Sequence, residues 1–181
     1  MHGGAIYYDI MSPKGLLNNT FVDNNASYGS NYGSYPFKLA AYYPSSMQED
    51  DLSRLVSGAA ITKSINIGIY DQEGQLVTYD SSSVAWLTSD DIQLQISGDN
   101  KKIAENGVYR FDSITFIASP LYTTNIKVIS TALDQTKIQA VSQASSSKTM
   151  IFNFCRLLFG FAVQTMHSRR DPDIEQVCEM L

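Results

Sequence analysis

Histidine and cysteine, which supply many catalytic and metal-binding groups, are scarce in this chain of 181 residues. The two histidines, His2 and His167, lie near opposite ends of the sequence, so neither a metal-ligand pattern nor a nucleophile–base pair is indicated. No G-x-S-x-G, Walker or GxGxxG sequence occurs, which leaves serine-hydrolase chemistry and nucleotide binding without support. The two cysteines, Cys155 and Cys178, are too few for a disulfide framework. We therefore expect no enzyme activity, no catalytic residue and no cofactor.

Charged residues are also few: Asp, Glu, Lys and Arg make up 17% of the chain, and the net charge is -5. Binding to nucleic acid needs a clustered basic face, whereas the basic pairs at 101–102 and 169–170 are isolated. This argues against nucleic acid as a partner. Low charge combined with frequent Ser, Asn and Tyr favours a β-rich extracellular surface over a helical cytosolic enzyme.

Glycine and asparagine are spaced in an informative way near the N terminus. Residues 3–6 (GGAI) lead into a strand-forming pair of tyrosines, and Phe21 lies between paired asparagines at 18–19 and 24–25. The glycine pair allows a tight bend, and asparagine tolerates the left-handed corners of a coil. A strand at 5–8, a second short strand at Phe21 and an exit strand at 39–43 predict one coil of a stacked parallel β-structure.

The sequences GGAI at 3–6 and FVDN at 21–24, followed by YGSN at 28–31, resemble two repeats of polymorphic outer-membrane proteins, GGA(I/L/V) and FxxN. They are also similar to repeats in large surface proteins of ciliated protists. The resemblance implies a right-handed β-helix of the pectin-lyase-like type, displayed outside cells and without a catalytic role. One coil buries its apolar face only against neighbouring coils. We therefore expect a piece of a longer, membrane-anchored protein that begins inside its β-helix.

A second unit is predicted at 52–142, after a β-helix terminal coil at 1–43 and a polar linker at 44–51. Ile65, Ile67 and Ile69 alternate with more polar residues or glycine, as in a strand with one buried face. Further strands are predicted at 76–79, 92–96, 108–111, 114–118 and 126–129. Their order and spacing resemble an immunoglobulin-like antiparallel β-sandwich without the antibody cysteine pair. Trp86, the only tryptophan, is expected in the core.

The C-terminal tail, residues 143–181, has no firm structural prediction beyond a short irregular or helical segment. Its most apolar stretch, 149–163, is interrupted by Asn153 and Arg156 and is shorter than the ~20 residues that a membrane-spanning helix needs. A buried strand or a short docking helix is therefore favoured over a transmembrane span.

Two kinds of candidate site remain in the sequence. Asp71 and Asp80 are the metal candidates, for calcium, with the neighbouring pair at 90–91, although aspartates at turns commonly bond their own backbone. Asn18 (NNT) and Asn25 (NAS) fit the sequon for N-glycosylation, while asparagine is also suited to β-helix corners.

The leading functional hypothesis is a non-enzymatic, structural or adhesive surface protein, with a β-helix rod and a β-sandwich spacer. Surface glycans or other surface proteins are the expected partners. One alternative is a calcium-dependent adhesive module, which requires that Asp71, Asp80 or Asp90 converge in space. Another is a carbohydrate-active β-helix enzyme, which needs acidic and basic side chains on one face of successive coils.

Overall fold

A computed structural model describes residues 4–9, 11–42, 54–119, 124, 126–134, 136–138 and 158–160 of the chain. These residues form short strands, one 3-10 turn (Leu16–Asn18) and a helical turn at 136–138. The strands are β1 (Ile6–Tyr8), β2 (Tyr32–Ser34), β3 (Lys38–Ala41), β4 (Arg54–Val56), β5 (Ile65–Tyr70), β6 (Val84–Thr88), β7 (Gln95–Ser97), β8 (Lys101–Ile103), β9 (Val108–Phe111), β10 (Thr115–Ile117), β11 (Lys127–Ser130) and β12 (Leu158–Gly160). The predicted mainly-β class is confirmed.

The N-terminal part contains a two-stranded parallel ladder between β1 and β2, in which Ile6 lies opposite Tyr32. The predicted strand at 5–8 is thus confirmed, but its partner follows the YGSN sequence instead of lying at Phe21. Left-handed backbone at Asp23, with a φ of 53°, breaks the extended conformation after Phe21. The Phe21 ring instead packs on Tyr32, with ring centroids 5.6 Å apart. A right-handed β-helix is not shown by the described residues.

A three-stranded antiparallel sheet in the order β3-β5-β9 forms one side of the core. The alternation predicted for β5 is confirmed, because Ile65, Ile67 and Ile69 are all buried. Ile67 lies opposite Tyr109 of β9, and Leu39 of β3 lies opposite Ile69. The predicted exit strand of the N-terminal coil therefore bonds to the sheet of the second unit.

The other sheets are small, with the orders β11-β6-β8, β10-β7 and β12-β4. The first two are antiparallel, whereas β12 and β4 pair in parallel. β12 lies within the apolar stretch 149–163, for which the sequence predicts a buried strand or a docking helix, and its three residues form a strand. One hydrophobic cluster connects the N-terminal segment to the sheets through Tyr28 and Leu39. No helix in the described part of the chain is long and apolar enough to cross a membrane.

Three strand-level expectations need correction. The return strand predicted at 76–79 is reduced to a single bridge between Tyr70 and Leu76, and residues 78–79 form a turn. The strand predicted at 92–96 begins only at Gln95, since Ile92 lies in a turn with 99% of its surface exposed. Trp86 is half-buried and outside the core, because its neighbours in β6, Ala85 and Leu87, take the buried face.

Candidate functional site

A buried carboxylate lies at the turn after β5. Asp71 is fully buried, and its Oδ2 accepts a 2.5 Å hydrogen bond from the Tyr28 hydroxyl. Gln75 satisfies the rest of the carboxylate, donating its backbone N–H to Oδ1 at 2.7 Å and its side-chain amide to Oδ2 at 3.1 Å. The sequence favours this turn because Gly74 adopts a φ of 78°, which is costly for other residues. Asp71 thus joins its own turn to the N-terminal segment.

The same turn also binds the strand β2. The side-chain amide of Gln75 donates to the backbone carbonyl of Tyr32 at 3.0 Å, and the backbone N–H of Gln72 donates to Ser34 Oγ at 3.3 Å. Ser34 is fully buried. We call the set formed by Tyr28, Tyr32, Ser34, Asp71 and Gln75 the junction, because it fixes the parallel ladder to the antiparallel sheet.

Four tyrosines form a continuous series from the junction to the surface. The Tyr28 ring meets the Tyr79 ring edge to face, with centroids 5.1 Å apart. The hydroxyl oxygens of Tyr79 and Tyr7 lie 3.1 Å apart, and the Tyr7 ring packs on Tyr35 at a centroid distance of 5.7 Å. Tyr7 and Tyr35 are exposed, with 36% and 44% of their surface accessible. The series therefore ends in two adjacent aromatic rings that contact solvent.

Burial sets the ionisation of these phenols. Burial, and then the hydrogen bond to Asp71, raise the pKa of Tyr28 well above its ordinary value. The pKa of Tyr79 is raised in the same way, first by burial and then by its hydrogen bond with Tyr7. Both phenols are therefore neutral at neutral pH and keep a proton to donate.

A further tyrosine connects β1 to the turn after β5. The Tyr8 hydroxyl donates a hydrogen bond to Glu73 Oε1. Burial, followed by this bond to Glu73, raises the pKa of Tyr8 to about 12. Tyr8 is itself buried, so this contact adds a second link beside the junction.

An ion pair borders the exposed tyrosines. Lys137 Nζ lies 3.0 Å from Asp9 Oδ2 and 4.4 Å from the centroid of the Tyr35 ring. Asp134 positions Lys137 on its helical turn, since Asp134 Oδ1 accepts the backbone N–H groups of Thr136 at 3.0 Å and of Lys137 at 3.3 Å. The hydrogen bond to Asp9 raises the pKa of Lys137. The ion pair of Asp9 and Lys137 therefore lies beside the exposed ring of Tyr35.

Asp80, the second predicted metal candidate, belongs to a different network. Its Oδ1 accepts the backbone N–H groups of Ser82 and Ser83, both at 3.0 Å, and its Oδ2 accepts the Ser83 hydroxyl at 2.5 Å. Ser83 in turn lies 2.5 Å from the hydroxyl of Tyr109, which also bonds to Ser130 at 2.7 Å. Tyr109 is fully buried, so Asp80 indirectly supports a core aromatic residue.

The other acidic candidates also have protein partners. Asp91 Oδ1 accepts the backbone N–H of Gln93 at 2.9 Å, and Asp90 forms an ion pair with Lys127. Within the part of the chain that the structure describes, no group of three or more His, Cys, Asp or Glu side chains could hold a metal ion. Asp71, Asp80 and Asp91 accept backbone N–H groups at their own turns, as aspartates at turns commonly do, while Asp71 also bonds to Tyr28 and Asp90 pairs with Lys127.

Both predicted glycosylation positions are at the surface. Asn18 ends the 3-10 turn and Asn25 lies in the following loop, and both are exposed. Asn24, beside the second sequon, is only half-buried and bonds to Asn31 at 3.4 Å. The sequence positions Cys155, Cys178, His2 and His167 lie outside the described residues.

Sequence reasoning placed Asp71 at a turn but missed its contact with Tyr28. The two residues are the tyrosine of YGSN at 28–31 and the aspartate of DQEG at 71–74, and each is a polar or amphipathic residue next to a predicted strand. Neither residue identifies the other, because the two are distant in sequence. Tyr7 and Tyr35 both lie within the coil predicted at 1–43, and no pattern in the sequence indicates that they meet.

Comparison of the chain with protein-family models, with curated protein sequences and with solved structures finds no match. Function is therefore inferred from the chemistry of the described side chains.

Proposed function

We propose that this chain is a non-enzymatic module of an extracellular or cell-surface protein, with a structural or adhesive role. In this proposal the N-terminal segment is the end of a β-helix rod and the antiparallel sheets belong to an immunoglobulin-like spacer. The buried contact between Tyr28 and Asp71 carries the argument. It attaches the parallel ladder to the antiparallel sheet at a point closed to solvent.

A buried attachment of this kind suits a rigid extracellular scaffold. Neighbouring units in one chain usually move relative to each other unless their interface is large and hydrophobic. Here Tyr28 and Leu39 enter the same hydrophobic cluster as the β5 isoleucines, and hydrogen bonds from Gln75 and Gln72 reach β2. The orientation of the N-terminal segment is thereby fixed, as a rod that displays a distal surface requires.

The exposed sequons support the extracellular part of the proposal. Asn18 and Asn25 lie where a glycan can be attached without displacing a buried group. Secretion of the chain from a eukaryotic cell should yield a glycosidase-sensitive mass shift that is lost when both Asn18→Gln and Asn25→Gln are present. Each single variant identifies the occupied position. A secreted chain of unmodified mass would remove this support.

Native-state hydrogen exchange tests the rigid attachment. We expect the amides of β2 to open with a free energy close to that of β5, since the junction connects them. Tyr28→Phe should lower the protection of β2 more than that of β6. Exchange of β2 at the rate of an exposed loop in the unaltered chain would contradict the proposal. Cleavage of a polysaccharide by the purified chain would instead favour the enzyme alternative.

A further inference from the structure

Two of the large hydrophobic side chains exposed on the described surface are aromatic, and these two contact each other. They are Tyr7 and Tyr35, whereas the others are aliphatic and comprise Met11, Val22, Val56, Ile92, Ile103 and Ile117. Scattered exposed aliphatic residues need no explanation. The other aromatic side chains that the structure describes are buried, as Tyr109 and Phe111 are, or half-buried, so two adjacent exposed rings mark a surface suited to a ligand.

The rings are held in place before any ligand arrives. The Tyr7 hydroxyl bonds to Tyr79, the Tyr79 ring packs on Tyr28, and Tyr28 is fixed by its bond to Asp71. The Tyr35 ring also contacts the ammonium group of Lys137, which lies 4.4 Å from its centroid. Rigid aromatic side chains lose little conformational entropy on binding, so such a surface is preorganised.

The charges beside the rings narrow the chemistry of the ligand. Asp9 and Lys137 form an ion pair, so the surface offers a carboxylate acceptor and an ammonium donor without a net charge. A phosphate or sulfate polymer would need a basic cluster. The Lys137 ammonium over the Tyr35 ring would repel a ligand cation, whereas a neutral ligand meets no such repulsion. Neutral ligands with hydroxyl groups satisfy both the donor and the acceptor.

We propose that Tyr7, Tyr35, Asp9 and Lys137 form a binding surface for a neutral oligosaccharide, which we call the tyrosine platform. The C–H groups on one face of a pyranose ring pack against the negative face of an aromatic ring. Its hydroxyl groups then bond to the Asp9 carboxylate and the Lys137 ammonium. The inference rests on the adhesive role proposed above and names the class of its partner.

Titration of the whole chain with cellohexaose, mannohexaose and chitohexaose, followed by calorimetry and by NMR saturation transfer, tests the platform. We expect at least one of them to bind with a Kd of about 1 mM or tighter. Tyr35→Ala should weaken that binding about tenfold or more, as loss of an aromatic anchor does. Tyr35→Trp, which keeps an aromatic face, should retain it. Asp9→Asn should weaken it less, because one acceptor oxygen remains.

Tyr42→Ala is the matched control, since this half-buried tyrosine follows the far end of β3. It should leave saccharide binding unchanged. The platform would be overturned if none of the three sugars bound or if Tyr35→Ala bound them equally well. Tighter binding of a sulfated oligosaccharide or of a peptide would also overturn it. Thermal unfolding of each variant separates lost binding from lost folding. If binding fails while β2 keeps its hydrogen-exchange protection, the structural role stands and only the platform is rejected.

Discussion

The Tyr28 hydroxyl lies 2.5 Å from Oδ2 of Asp71, and this contact joins residues on either side of the polar segment 44–51. Asp71 is fully buried, and Tyr28 is nearly so. Burial of a carboxylate is costly unless donors satisfy its oxygens. Tyr28 and Gln75 supply those donors, so the folded position of the N-terminal segment and the stability of the turn after β5 depend on each other.

Tyr28→Phe should therefore destabilise the chain by about 1 to 3 kcal/mol, since it removes the shorter of the two hydrogen bonds that the buried Oδ2 of Asp71 accepts. Chemical denaturation by urea measures the change. Tyr70→Phe, at a half-buried tyrosine of β5, provides the control and should cost less than about 0.5 kcal/mol. If the two variants lose equal stability, the bond between Tyr28 and Asp71 contributes nothing specific.

The buried face of β5 can be predicted from the sequence, whereas the contact between Tyr28 and Asp71 cannot. Alternation of isoleucines defines a strand with one buried face, and Ile65, Ile67 and Ile69 are buried as that pattern requires. The pairing of Tyr28 with Asp71 depends instead on how two distant segments meet. No local periodicity encodes such a meeting.

The turn at Asn106 and Gly107 is a second feature whose local conformation can be predicted from the sequence. Asn106 and Gly107 have the φ values, 49° and 79°, of a tight hairpin turn, which is the conformation that the Asn-Gly sequence favours. A simple hairpin of β8 with β9 does not follow, because β8 pairs with β6 and β9 pairs with β5. The turn is local and predictable, whereas the separation of its strands onto two sheets is set by core packing.

The core of β5 yields a paired prediction. Ile67→Ala should cost roughly 2 to 5 kcal/mol, because Ile67 is fully buried and its truncation leaves a cavity. Asn66→Ala, one position away on the half-buried face, should cost less than about 1 kcal/mol. Denaturant midpoints of the two variants measure the difference. Equal losses would show that the buried face of β5 is assigned incorrectly.

Two glycines with nearly equal φ angles allow the cost of a left-handed backbone to be distinguished from the cost of a steric clash. Gly107 and Gly74 have φ values of 79° and 78°, so alanine costs about 1 to 2 kcal/mol at either position. A Cβ at Gly107 would lie 2.4 Å from the backbone oxygen of Val77, while a Cβ at Gly74 would meet no atom within 4 Å. Gly107→Ala should therefore lower the thermal midpoint clearly more than Gly74→Ala. Matching midpoints would exclude close packing at Gly107.

Alkaline pH should destabilise the chain through its buried tyrosines. Tyr28, Tyr79 and Tyr8 have raised pKa values, that of Tyr8 being about 12, so the folded state retains protons that the unfolded state loses above about pH 10. Their contribution to stability is complete below pH 10 and is lost as the pH rises toward the folded pKa. Urea unfolding at pH 7 to 11.5 measures this decline. In Tyr28→Phe the free energy of unfolding should fall less steeply with pH. An unchanged slope would contradict a contribution from Tyr28.

Calcium should not bind to Asp71 or Asp80 with a Kd tighter than about millimolar, although both are acidic residues at turns. A calcium ion needs six to eight oxygen ligands. The Asp71 oxygens accept bonds from Tyr28 and Gln75, and those of Asp80 accept three bonds from Ser82 and Ser83. An ion would have to displace these donors, which would destabilise the junction or the turn that supports Tyr109.

Calorimetric titration of the whole chain should consequently reveal no calcium site tighter than about millimolar, the regime of the weakest extracellular modules. Asp80→Asn should lower thermal stability, since Ser83 loses an acceptor, yet leave the response to calcium unchanged. Micromolar binding that disappears in Asp71→Asn or Asp80→Asn would mean that the ion reorganises these turns. It would replace the structural proposal with a calcium-dependent adhesive module, because the same carboxylates cannot hold both sets of partners at once.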